Sequence, residues 1–556
     1  MKIKNILQMF FVLFITYNIN AQSNAYFYYF EYKGKDELFN QQIDSKNYFF
    51  NPIISGFYPD PSICKKGNTF YLVHSSFSFF PGIPIFKSKD LVNWQQIGHV
   101  LDRPSQLKLD GIRISGGIYA PSIDYNVCDD TFYLITTLVD GGGNFIVKTK
   151  NPEKGWSDPV FIPTVGGIDP SLFFDDDGKT YIVHNDAPEG TPEYEGHRAL
   201  WLHQFDIKTN KTFGERKMIV DGGVDKSKKP IWIEGPHLYK KNGKYLLIAA
   251  EGGTSVNHSQ VAFISENVFG PYMPYKNNPI LTQRDLPEIR ENKITSVGHA
   301  DIIEDNGGKT WAVFLGCRPY KDNYYNTGRE TFLLPVKWDN DFPVILDKNK
   351  PLPIVVKKSN KKNKDDILSG NFTWRDEFNQ NKLDYNWIQI RTPYTKWYKL
   401  SKGKLVIEPK ENSIYDIGAE PSFLGRRQQH TTFSVETEFS FEPSTPDEMA
   451  GLVCYQNEKY NFFFGKTIEN GKNIIVVDRT ENTTSRVVQM QIPETTYNND
   501  KIKLKIEGQK DLYSFYVSFD NITWIAIAKD VDATNISTQS AGGFVGTLIG
   551  LYAKKK

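Results

Sequence analysis

The chain of 556 residues carries 66 Lys and Arg against 65 Asp and Glu, a net charge of +1. It lacks the basic excess with which proteins grip a phosphate backbone, which argues against a nucleic-acid partner, and its length provides for roughly two to four domains. With 39% hydrophobic and 24% charged residues it is composed like a globular protein and not a disordered one, and a 14% aromatic share leans toward β-rich structure and flat binding surfaces.

Residues 1–21 read as a secretory signal. Lys2 and Lys4 make a basic start, Phe10 to Ile15 is an apolar run, and Ala21 suits cleavage before Gln22. That run is too short to cross a bilayer, and no later stretch of about 18 apolar residues follows, so no membrane span is expected. Export to the periplasm or the outside is the expectation. Residues 22–50 are set apart as an N-terminal segment whose aromatic stretch Tyr26 to Tyr32 has no evident place. The four cysteines (Cys64, Cys128, Cys317, Cys454) have neither metal-knuckle nor redox spacing, and the nine histidines form no H-E-x-x-H.

From residue 51 onward one pattern recurs five times: a polar or small residue, usually Pro, a polar residue, an aliphatic, a turn, then a strand. The copies begin Asp60-Pro-Ser-Ile, Ala120-Pro-Ser-Ile, Asp169-Pro-Ser-Leu, Gly235-Pro-His-Leu and His299-Ala-Asp-Ile, at steps of 60, 49, 66 and 64 residues. Hairpin signals such as Asn242-Gly243 lie between the halves, and each copy runs on into a further strand. Short strands at this period predict an all-β fold, a five-bladed β-propeller over 51–345, with a tandem array of sandwiches as the competing architecture.

In a propeller, equivalent positions ring the axis. The five copies present Asp60, Tyr119-Ala120, Asp169, Glu234-Gly235 and His299 there, so three carboxylates face one cavity. A structural core does not gather like charges, because burying them is costly. Their proximity separates their pKa values, so that one carboxyl holds a proton while another is ionised, as glycoside hydrolysis requires. Taken singly, Asp60 and Asp169 also suit turns before Pro, and His299 also suits a satisfied core position. Asp175-Asp176-Asp177-Gly178 reads as a solvated hairpin turn in preference to a calcium loop.

The runs NPIISGFYPDPSI (51–63), SSFSFFPGIPIFKSKDLVNW (75–94), GGIDPSLFFDDDGKTYIV (166–183), IEGPHLYKKNGKYLL (233–247), GHADIIE (298–304) and GRETFLLPV (328–336) together resemble glycoside hydrolase family 43, above all its two-domain β-xylosidase and α-L-arabinofuranosidase members. The resemblance implies single-displacement inversion. Asp60 is then the general base, Glu234 the general acid, and Asp169 the carboxylate that tunes and orients the acid. Arg329 would hold sugar hydroxyls, and His299 and Phe77 would line the terminal-sugar pocket. Where xylosidases of the family read GGxWAP, this chain has Gly116-Gly117-Ile118-Tyr119-Ala120-Pro121, which leaves the pocket's preference open. The polar insertion Asn185 to Ala199 is expected over the cavity.

Pro351 to Lys364, within a boundary region of 346–369, reads as a linker rich in Lys, Pro and Asn. Beyond it, alternating runs such as FSVETEFSF and IKLKIEG predict an antiparallel sandwich over 370–556, resembling the concanavalin-like domain of this branch. Phe544 either closes one side of the pocket or packs in the sandwich core, and the domain is either a pocket wall or an autonomous sugar-binding module. The expectation is an exported, exo-acting inverting hydrolase that releases terminal pentose from plant-type polysaccharide or oligosaccharide, β-D-xylose ahead of α-L-arabinofuranose. A carbohydrate-binding protein without chemistry is the contrasting class. No cofactor is required, since water is the nucleophile. A structural calcium, which the resemblance brings with it, is neither demanded nor excluded.

Overall fold

The computed structural model describes residues 24–358, 369–493 and 501–556. The signal segment 1–21 and part of the linker lie outside the described residues.

Five antiparallel sheets follow one another along the chain. Blade I comprises Ser62–Lys66, Thr69–Val73, Gly82–Ser88 and Gln95–Leu101, and blade II comprises Gly117–Asn126, Thr131–Val139, Gly143–Thr149 and Val160–Phe161. Blade III comprises Ile168–Phe174, Thr180–Asp186, Ala199–Asp206 and Lys211–Asp221. Blade IV runs from Glu234–Lys241 through Lys244–Glu251 and Ser259–Ser265 to Met273–Pro274, and blade V comprises Thr295–Glu304, Thr310–Cys317 and Glu330–Pro335. The first strands of consecutive blades touch in a closed ring, blade V returning to blade I. Apolar side chains between neighbouring blades make the core, for example Phe132, Leu134 and Ile123 of blade II against Val73 and Ile85 of blade I.

Local sequence dictates the hairpins. Asn242 and Gly243 both have positive φ, 51° and 79°, as a two-residue turn matched to strand twist requires. Residues ahead of blade I close the ring by pairing with its last blade. Ile54 bridges Thr331, and the Asn51 side chain both accepts from Leu333 N at 2.9 Å and donates to Leu333 O at 3.0 Å.

The second domain is a sandwich of two sheets. One runs in the order Tyr398–Leu400, Leu405–Ile407, Ala25–Gly34, Thr432–Ser440, Ile502–Gln509, Leu512–Ser518, Ile525–Asp532, with Thr373–Asp376 also paired to Ala25–Gly34. The aromatic stretch that the sequence left unplaced is thus an interior strand of the C-terminal domain. Phe27, Phe30 and Tyr32 point into its core, so the N-terminal segment is not a unit of its own. The other sheet runs from Thr483–Gln491 through Lys472–Glu481, Tyr460–Glu469, Met449–Asn457, Leu548–Lys554 and Phe423–Arg427 to Ile388–Ile390. Its edge is supplied by Phe79–Phe80 of the propeller. The described part of the linker is also not free: Val355–Lys357 pairs with Tyr48–Phe50, and Leu352, Ile354 and Val356 are buried against the propeller.

Candidate active site

The five repeat positions Asp60, Ala120, Asp169, Gly235 and His299 all adopt left-handed backbone, with φ of 52°, 33°, 54°, 55° and 52°. In blades II to V the ladder between first and second strands also slips next to this residue. The slip re-aims the chain at the axis, as bulges beside active sites do. At Gly235 a side chain is excluded outright, because a Cβ would stand 2.8 Å from the His299 ring. Asp60, Asp169 and His299 occupy equivalent positions, whereas Glu234 stands one residue earlier than its blade's ring position, level with Tyr119.

All three carboxylates are buried and line one cavity of about 610 Å³, together with Phe77, Tyr119, His299, Arg329 and Phe544. The sequence-derived site residues are therefore brought together in a single place. Ser75 Oγ accepts from Ala120 N at 2.6 Å, so its own proton goes to Asp60 Oδ2, also at 2.6 Å. The other oxygen, Oδ1, has His299 Nδ1 at 3.7 Å and Arg329 Nη1 at 3.9 Å. Asp169 Oδ2 accepts from Gly235 N at 3.2 Å, which ties it to the residue after Glu234.

Electrostatics divides the carboxyls. Burial first, and then the neighbouring Asp169 charge, raise Glu234 well above the ordinary carboxyl range, with Arg329 and the Trp232 side chain acting in the opposite sense. Asp169 is pushed up to about 7 by burial and by the Asp60 charge, against the pull of Gly235 N–H and Arg329. Burial also lowers His299 to about 4, so it is neutral near pH 7. Neutral imidazole and a fixed guanidinium thus face Asp60, beside a Glu234 whose pKa burial and its neighbours raise.

One side of the cavity is aromatic. The Phe544 ring lies 6.4 Å from Phe77, near parallel, and 5.8 Å from Tyr119, edge-on, with the Arg329 guanidinium 4.8 Å above it. Its backbone N donates to Ser115 Oγ at 3.0 Å. Phe544 belongs to the sandwich, so the second domain reaches into the cavity of the first. The Tyr119 hydroxyl is turned to the Ser115 carbonyl, with Arg113 Nη2 at 3.5 Å.

A family profile described as glycosyl hydrolases family 43 matches residues 49–343, and one described as the β-xylosidase C-terminal concanavalin A-like domain matches 375–556. The chain belongs to glycoside hydrolase family 43. It is 37% identical over 515 residues to a xylosidase/arabinosidase of Butyrivibrio fibrisolvens, covering 90% of this chain and 95% of that one. It is 35% identical to a non-reducing end α-L-arabinofuranosidase of Bacteroides ovatus, with 91% of each covered. The crystal structure of a GH43_12 protein from a capybara gut metagenome matches with a TM-score of 0.89 at 42% identity, covering 95% of this chain and 99% of that one.

This family 43 enzyme, a glycoside hydrolase, also carries cavity residues that sequence reasoning missed: Arg113, Val139, Ile168, Arg198, Ile231, Trp232, Gly253 and Thr254. Arg198 ends the polar insertion and Trp232 precedes the Ile233-Glu234 pair, so nearness to a recognised motif was the only signal for either. Of the insertion's other charged residues, Glu193 pairs with Lys226 and His197 Nε2 lies 2.8 Å from Asp221, away from the cavity. Among the described residues no three His, Cys, Asp or Glu side chains are grouped as metal ligands. A smaller axial void of about 10 Å³ is walled by Ser62, Ser122, Ser171, His237 and four prolines besides the ring residues.

Proposed function

We propose that this enzyme is an exported, exo-acting, inverting hydrolase that removes terminal pentose units, β-D-xylose foremost, from xylan-type chains. Asp60 is the general base: its carboxylate, oriented through Ser75, takes a proton from water as that water attacks the anomeric carbon. Glu234 is the general acid, delivering its proton to the departing glycosidic oxygen, and a raised pKa is what that role needs near neutral pH. Asp169 holds the acid's pKa up and fixes the backbone beside it. Arg329 and His299 engage sugar hydroxyls, and Phe77, Tyr119 and Phe544 pack on the ring's apolar faces. The observation that carries this reading is the convergence of the three carboxyl groups in one cavity walled on one side by the sandwich. A walled cavity suits a chain end.

Relatives named for xylosidase and for arabinosidase activity support the substrate class, and α-L-arabinofuranose remains the second reading because the two sugars present similar hydroxyls. Export rests on the composition of residues 1–21, with action in the periplasm or outside. Turnover of nitrophenyl β-D-xyloside and nitrophenyl α-L-arabinofuranoside, with NMR of the first-formed sugar, tests the assignment. The expected outcome is faster xyloside turnover with inverted anomeric configuration, and, on xylobiose, whose sugar leaving group needs the proton, a Glu234→Gln loss of at least about a hundredfold in kcat/KM. Retained configuration, or an active Gln variant, would remove the mechanism.

A further inference from the structure

Beyond the terminal-sugar residues, the cavity has a second wall formed by Arg198, Ile231, Trp232 and Thr254. The Arg198 guanidinium lies 4.6 Å above the Trp232 ring. Its Nε donates to Asn185 Oδ1 at 3.1 Å, while its two Nη groups have no protein partner among the described residues, and the side chain is only partly buried. Asn185 is fully buried and uses the other half of its amide, Nδ2, on the carbonyl of Ile233, the residue between Trp232 and Glu234. One amide group therefore fixes both the guanidinium and the backbone that carries the acid. Trp232 itself is held at φ 58°, a conformation that a bulky residue keeps only where the surroundings over-determine it. Its side chain acts on the Glu234 carboxyl in the sense that favours ionisation.

We infer that Arg198, clamped over Trp232 by Asn185, is a specificity-determining residue for the leaving group and selects hydroxylated sugar units over other aglycones. The inference rests on the reading of Glu234 as the acid. The group that receives its proton is the glycosidic oxygen, so the departing unit lies beside Glu234, and the Arg198–Trp232 wall is what stands beside Glu234 there. A guanidinium with Nε committed to Asn185 still offers four N–H donors on its Nη atoms. Sugar hydroxyls accept such bonds, and the charge makes each stronger than a neutral one. An aryl leaving group lacks those acceptors and also needs less proton assistance. Arg198 thus acts on the unit that leaves, whereas Arg329 acts on the unit that is transferred to water.

The test compares wild type, Arg198→Met and Arg198→Lys on xylobiose and on nitrophenyl β-D-xyloside, with melting temperatures to confirm folded variants. Losing charge-assisted hydrogen bonds to the leaving sugar should lower kcat/KM on xylobiose about tenfold to a hundredfold more than on the aryl glycoside. The Lys variant, with charge but no planar fork, should recover only part of that difference. Equal losses on the two substrates, or no loss on either, would overturn the inference. Wild-type inactivity on both substrates would instead overturn the pentosidase reading itself, and is recognised before any variant is made.

Discussion

At Asp169 a single charge acts on a neighbour's proton. Its carboxylate raises the pKa of Glu234 through space, while its hydrogen bond to Gly235 N holds the strand that carries Glu234. Asp169→Asn keeps the shape and removes the charge. A neutral amide no longer opposes ionisation of Glu234, so the acid gives up its proton at lower pH. The basic limb of the kcat/KM profile should therefore move down by about a pH unit alongside a fall in rate, and a pH series on xylobiose, whose departing sugar needs the proton, reads it directly. A limb that stays in place would show Asp169 to act by geometry alone. At this scale the sequence exposed the residues that sit inside repeated motifs: Asp60 and Asp169 each precede Pro, and Glu234 precedes Gly-Pro-His. It concealed Arg198, Trp232 and Ser75, because their roles arise from contacts with Asn185, Glu234 and Ala120, which no local spacing encodes.

The first strand of blades II to V, and the residues leading into that of blade I, combine a left-handed residue with ordinary β-backbone, and this recurring kink gives the repeat its chemistry. The strand proper supplies apolar packing between blades, and the kink turns a polar side chain toward the axis. Periodicity revealed the blades because every copy keeps its own turn and alternation. Motif alignment already sets Glu234 one residue ahead of the position held by Asp60 and Asp169, because Gly235 opens its copy, but the slip in the ladder beside it was not legible in local spacing. The sandwich loop bearing Phe544 is the other functional element, and there the sequence left pocket closure and core packing undecided. With the ring against Phe77, Tyr119 and Arg329, Phe544→Ala should raise KM for an aryl pentoside about tenfold and change kcat less, since stacking serves ground and transition states alike. An unchanged KM would reduce the loop to a packing role.

Across the whole molecule the two domains share structure as well as a pocket. Phe79–Phe80 extends a sandwich sheet. Buried Arg391 donates to Ile112 O at 2.7 Å in the propeller and to Glu458 at 2.7 Å in the sandwich. Arg318 of the propeller binds Asp36 at 2.8 Å, whose other oxygen accepts from Thr431 and Thr432. A chain ending at Lys358 would leave the Ala25–Gly34 strand without its partners, and would uncover Phe57, Phe77 and Phe79, which pack with sandwich residues. It should be insoluble or inactive by expression and turnover assays, whereas a soluble, fully active product would make the sandwich dispensable.

The Ala25–Gly34 strand bears also on how the molecule comes into being. It pairs with Thr432–Ser440, so the propeller is topologically an insertion within the sandwich. During synthesis the earliest of these strands must wait, exposed or chaperoned, while about 340 residues emerge before its first partner, Thr373–Asp376, exists. The propeller can close while the ribosome is still working, but the sandwich can assemble only near the end of translation. Nascent chains should therefore be most prone to aggregate over that interval.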